Sequence, residues 1–162
     1  MRFKILILGI CISYILPVFI SAEKTIILKQ ENALLKITEY KAEYRTYKRE
    51  HISHSIKAIN SSDKLIVAYH LSFITFDVFN EFLDKFNGFS VDKVEINKEE
   101  KAGWRHSPYA VALFEDYGTA VVYVDKIRFE NGTIWAANKE EILPQIQEIQ
   151  ESFSAELLEE KK

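Results

Sequence analysis

The chain has 162 residues, 48% of them hydrophobic and 28% charged, with a formal net charge of −3 and a single cysteine, Cys11. That length suits one domain, and the composition excludes both a disordered tail and a multi-span membrane protein. The near-balanced charge argues against a nucleic-acid partner, because phosphate binding needs clustered cations; one cysteine excludes a disulfide scaffold and a cysteine-based zinc site.

Arg2 and Lys4 precede an apolar run over residues 5–20 that ends in Ser21-Ala22. A basic start, an apolar stretch and a small-residue exit define a secretory signal peptide, here with cleavage after Ala22. The run contains Pro17 and is shorter than the roughly 20 residues of a membrane span. Cys11 follows Ile10, and a lipid-attachment cysteine needs a small residue before it. The mature chain, residues 23–162, is then exported to the periplasm or the extracellular space. It lacks cysteine and is held by its core alone.

Residues 37–47 alternate, with Glu39, Lys41, Glu43 and Arg45 on one face and Tyr40, Ala42 and Tyr44 on the other, which predicts a half-buried strand. Tyr40, Tyr44 and Tyr47 also fit helical spacing, but a helix would stack Glu39 over Glu43 and Lys41 over Arg45. Residues 52–59 form a second expected strand, and Asn60-Ser61-Ser62-Asp63 a turn. Residues 65–76 are apolar on both faces and predict a central strand. In residues 77–88, Asp77 is placed to cap a short helix and Gly88 to end it, with Phe79, Phe82, Leu83 and Phe86 on one face. Residues 90–108 are polar and read as strand fragments joined by loops.

Residues 119–129 predict another strand, followed by Asn131-Gly132, a strong hairpin signal. A two-residue turn there would pair Phe129 with Ile134, Arg128 with Trp135 and Ile127 with Ala136. The apolar face is even-numbered at Val122 and Val124 but odd-numbered at Ile127 and Phe129, so a β-bulge is expected near Asp125-Lys126. Finally, Ile146, Ile149, Phe153 and Leu157 predict an amphipathic C-terminal helix. Pro144 fits its first turn, while the capping-box spacing of Asn138 and Glu141 allows a start at Lys139.

The Asn-Ser turn, the long strand and the ending Phe73-Ile74-Thr75-Phe76-Asp77 resemble FxLYD-type Ig-like domains of bacterial envelope proteins. Phe73 and Asp77 match that motif, Phe76 stands for its Tyr, and Thr75 departs from its Leu. Residues 126–135 are similar to the last hairpin of small secreted bacterial proteins of unknown function. The resemblance implies an extracytoplasmic module and carries no catalytic residue over. In such a setting the sequons at Asn60 and Asn131 stay unmodified.

Residues 23–138 are therefore expected to form a mainly β, Ig-like antiparallel sandwich with a short helix after the central strand, and residues 139–162 a C-terminal amphipathic helix and tail. No Gly-x-Ser-x-Gly elbow or phosphate-binding glycine loop is present, and the mature chain has no cysteine nucleophile. His51 and His54 would face one metal only on a helix; on a strand they diverge. His70 reads as a hydrogen-bonded core histidine, and His106 beside Trp104 is the one histidine with a plausible chemical role. Asp77, Glu81 and Asp84 read as a cap and a solvated face rather than an acid–base pair. If Phe129 and Ile134 face the core, Trp135 faces outward beside Arg128; with Trp104 and Tyr109 it would form a platform for a glycan, a cell-wall ligand or an envelope protein.

The expected function is a non-enzymatic secreted or envelope-associated binding module without cofactor or metal. One alternative is a carrier holding an apolar ligand against Phe76, Phe79, Phe82, Phe86 and Phe89. The other is a small metal-dependent hydrolase using His51, His54 or His106.

Overall fold

The computed structural model describes residues 19–21, 24–45, 51–107 and 117–159, which form a mainly β structure of two sheets. The strands are β1 (Phe19–Ser21), β2 (Lys24–Ile27), β3 (Leu35–Arg45), β4 (His51–Asn60), β5 (Ile66–Asp77), β6 (Phe82–Ser90), β7 (Glu99–His106), β8 (Tyr117–Phe129) and β9 (Ile134–Ala136), followed by helix α1 (Lys139–Gln147). The first sheet has the order β1-β3-β4-β7 and the second β2-β8-β5-β6, with β9 also paired to β8. The order β3-β4-β7 against β6-β5-β8-β9 is the A-B-E against C′-C-F-G arrangement of an immunoglobulin sandwich. The N-terminal strands divide between the sheets: β1 pairs with β3, and β2 runs parallel to β8. That last pairing is a departure from the expected all-antiparallel sandwich.

Alternation explains the inner core. Tyr40, Ala42 and Tyr44 of β3 are buried between the sheets, as are Ile52, Ile56 and Ala58 of β4 and Leu71 and Phe73 of β5. A bulge at Thr38 switches the buried parity of β3, so that Leu35 and Ile37 also point inward. On β8 the register steps from Lys126 to Val124 against adjacent residues of β5, which makes Asp125 the extra residue of the expected bulge. Val122, Val124, Ile127 and Phe129 consequently all reach the same core.

β5 is apolar on both faces because it has a layer on each side. Ile74 and Phe76 point away from the first sheet and, with Val121 and Tyr123, lie under Ile142, Ile146, Phe153 and Leu158 of the C-terminal segment. Each such side chain contributes about 1.5–3 kcal/mol on burial. The C-terminal segment thus packs on its own sandwich. Asn138 caps α1 by accepting from Glu140 N at 3.0 Å, whereas the Glu141 carboxylate accepts from Glu31 N and leaves the capping box incomplete.

Three expectations need correction. Residues 77–88 contain no helix. The Asp77 carboxylate accepts from Phe79 N and Glu81 N, Asn80 adopts a left-handed φ of 63°, and the chain reverses into β6. The helical spacing of the phenylalanines arises from two-sided burial interrupted by a bulge at Leu83: Phe82 packs outward on Phe153 and Phe86 inward on Phe73. The C-terminal helix stops at Gln147, and Phe153 and Leu158 dock through turns and a short 3-10 helix, Ala155–Leu158. Pro144 lies inside the helix, where it removes one backbone donor. Lastly, the hairpin loop has three residues, with Phe129 N donating to Thr133 O and Gly132 at a φ of 84°, rather than two. Arg128 therefore pairs with Ile134 and Ile127 with Trp135. Residues 90–98 are largely loop, as expected, but residues 99–106 form one continuous strand. The proposed cleavage site at residues 22–23 and the bulk of the expected signal peptide lie outside the described residues.

Candidate functional site

The one-residue change in hairpin register exchanges the faces of Trp135 and Ile134. Trp135 is half-buried against the inner core, and it is Ile134, 66% exposed, that stands outward beside the exposed Arg128. Trp104 is half-buried as well. Its indole N–H donates to Phe89 O at 3.0 Å, and its ring packs across Gly88, where an added Cβ would lie 2.8 Å from it. Tyr109 lies outside the described residues. Of the described residues expected to form this platform, the two tryptophans are half-buried in the sandwich and Arg128 lies at an open surface.

That open surface is the end of the second sheet that the C-terminal segment does not cover. Two cross-strand rows define it, one running Phe89, His70, Lys126, Ala136 and the other Ala68, Arg128, Ile134. Between β5, β8 and β9 they leave a shallow depression of about 190 Å³ lined by Ala68, His70, Lys126, Arg128 and Ile134. Phe89 is 62% exposed and stacks obliquely on His70, with ring centroids 5.8 Å apart, which extends the apolar surface. Lys126 lies 3.9 Å from the buried Asp125. The result is a partly exposed surface on which the β8 cations Lys126 and Arg128 lie between Ala68 and His70 of β5 and Ile134 of β9.

The bulge beneath this surface also anchors α1. The Asp125 carboxylate is buried and bonds the Lys139 ammonium, which lies 3.1 Å from Tyr123 Oη. Burial works against the charged Lys139, but its bonds to Asp125 and Tyr123 prevail and raise its pKa. Burial holds the Tyr123 phenol above its ordinary value.

A second polar constellation lies between the sheets. His54 is buried, shares a 2.9 Å hydrogen bond with the Tyr40 hydroxyl through Nδ1, and stacks on Phe73 at 4.4 Å. Among the described residues no group hydrogen-bonds its Nε2. His106 stacks on Phe86 at 4.8 Å, sits 6.3 Å from His54, and bonds Asp84 at 3.1 Å. Burial, reinforced by His106, depresses the His54 pKa to about 3, so the imidazole is neutral at physiological pH. His51 and His54 point to opposite faces of β4, and among the described residues no three His, Cys, Asp or Glu side chains are placed to share a metal ion. The five phenylalanines do not line one groove either. Phe76 and Phe82 lie under the C-terminal segment, Phe86 faces inward, and Phe79 (81% exposed) and Phe89 face solvent.

Sequence reasoning missed Ile134 and the half-buried Ala68, and placed Phe89 in an apolar-ligand groove rather than beside this depression. The strict alternation of 68, 70 and 126, 128 beside the bulge was the available signal, hidden by the assumed hairpin register.

No family model and no curated protein matches the sequence. Among solved structures, the chain is similar to a hypothetical protein from Peptoclostridium difficile 630, with a TM-score of 0.54 and 12% identity over 72% of this chain and 92% of that one. A Northeast Structural Genomics Consortium target aligns with a TM-score of 0.42 and 15% identity, covering 64% of this chain and 80% of its own. The first likeness concerns the fold alone.

Proposed function

We propose that this protein is an exported, non-enzymatic binding module of a bacterial envelope, and that it engages a protein partner through the uncovered end of the second sheet. The observation that carries this reading is the depression bordered by Ile134, Ala68, His70, Arg128 and Lys126, with Phe89 exposed beside it. An arginine set between apolar residues, here Arg128 between Ala68 and Ile134, has the make-up of a protein-recognition surface. Export rests on the sequence: Arg2 and Lys4, the apolar run over residues 5–20 and the Ser21-Ala22 exit. Cleavage after Ala22 would also remove β1, leaving residues Glu43–Arg45 as an open strand edge.

Affinity capture from an envelope extract tests the surface, comparing the parent with Ile134→Asp and Arg128→Glu. Both positions are exposed, so the variants fold. Loss of the same captured partner in both supports the reading, and identical recovery from all three proteins removes this face from it.

A further inference from the structure

The first sheet ends on β7, and among the described residues no strand pairs with the far edge of β7. This edge is eight residues long, contains no proline, and presents Glu99, Lys101, Gly103 and Arg105 to solvent, with Glu100, Ala102, Trp104 and His106 turned inward. Charged residues on an edge strand ordinarily repel a second strand. Here the order of charges is self-complementary when the strand is reversed upon itself.

We propose that β7 is a homodimerisation edge, pairing antiparallel with β7 of a second copy about a two-fold axis through Ala102. In that register Glu99 faces Arg105 of the second copy, Lys101 faces Gly103, and Glu100 faces Trp104, each occurring twice by symmetry. Opposed residues in an antiparallel pair lie on one side of the sheet, so inward residues must meet inward ones. This leaves only registers displaced by whole dipeptides. Moving the axis to Gly103 sets Lys101 against Arg105, and moving it to Lys101 sets that lysine against itself; like charges directly opposite are destabilising. Of the axes at residues 101, 102 and 103, that at Ala102 avoids both clashes and gains two ion pairs. Lys101 and Glu99, which pair within the monomer at 3.4 Å, are well exposed and free to re-pair. The first sheets of the two copies would then join into one continuous sheet, while the face proposed for partner binding lies on the other sheet.

Sedimentation equilibrium of the purified protein tests this, using the parent, Glu99→Arg, Arg105→Glu and the double exchange, with far-UV circular dichroism to confirm an unchanged fold. A dimeric parent is expected, with each single reversal raising the dissociation constant about tenfold, as two symmetric attractions become repulsions, and the double exchange restoring it. A parent that stays monomeric at every concentration overturns the proposal. So does a dimer indifferent to either reversal, or a double variant no better than the singles.

Discussion

His54 gives the sharpest quantitative expectation. Its imidazole is buried between Tyr40, Phe73, Phe86 and His106, and its pKa falls from 6.5 to about 3. An unfolded chain binds a proton at this residue below pH 6.5, whereas the folded chain does not until about pH 3. The unfolded state therefore holds more protons throughout that window, and stability is lost as pH falls through it. Above pH 6.5 the contribution is fully present. Between pH 7 and pH 5 the linkage from this one residue amounts to about 2 kcal/mol, an average of about 1 kcal/mol per pH unit against a limiting slope of about 1.4. Urea denaturation of the parent and of His54→Asn, each at pH 7 and pH 5, isolates it. Asparagine keeps a polar atom near Tyr40 and does not titrate, so the ionisable groups other than the neighbouring His106 cancel in the comparison. The variant starts less stable, by about 2–4 kcal/mol for lost ring packing, but its pH dependence should be shallower by about 2 kcal/mol. Equal slopes in the two proteins would refute the burial argument, as would a His54 ring proton that titrates near pH 6 by NMR in the folded protein.

Other expectations follow from single contacts. Gly88→Ala places a methyl group within 2.9 Å of both Trp104 and Phe73 and should cost about 1–3 kcal/mol in chemical denaturation, so a neutral result would contradict the packing of Trp104 over β6. Asp125→Asn leaves Lys139 without its buried counter-ion and should cost about 3–5 kcal/mol, while the paired change Asp125→Leu with Lys139→Met should recover a good part of this; equal losses in the single and double variants would show that the pair is not coupled. Export predicts that protein isolated from its native envelope begins at Glu23, and N-terminal sequencing that reads from Met1 would contradict the signal peptide.

Period-two patterns located β3, β4, β5 and β8 because each buries one face between the sheets, or two faces in the case of β5 and β8. The bulge at Asp125 was legible for the same reason: the buried parity of Val122 and Val124 cannot continue to Ile127 and Phe129 without an extra residue. The stretch 77–88 was not legible. Phenylalanines at intervals of three and four fit one helical face, and they fit equally a strand buried on both sides with a bulge at Leu83. Only the tertiary surroundings, with Phe153 on one side and His54 on the other, separate the two. Asn131-Gly132 announced the hairpin but not its loop length. That one residue decides whether Trp135 or Ile134 meets solvent, so the expected aromatic platform failed while its neighbour Arg128 remained at the surface. In the last segment Ile146 and Phe153 of the expected stripe are buried and Ile149 and Leu157 half-buried, but the chain turns after Gln147 rather than continuing as a straight helix.

The central claim is that the uncovered end of the second sheet is where this module meets its partner. Photo-crosslinking in the native cell tests it most directly, with a photoreactive phenylalanine analogue placed at Ile134, at Phe89 and, as a control, at the exposed Lys36 of the first sheet. One common adduct is expected from positions 134 and 89 and none from position 36. Adducts from position 36 alone, or no adduct from positions 134 and 89, would contradict it.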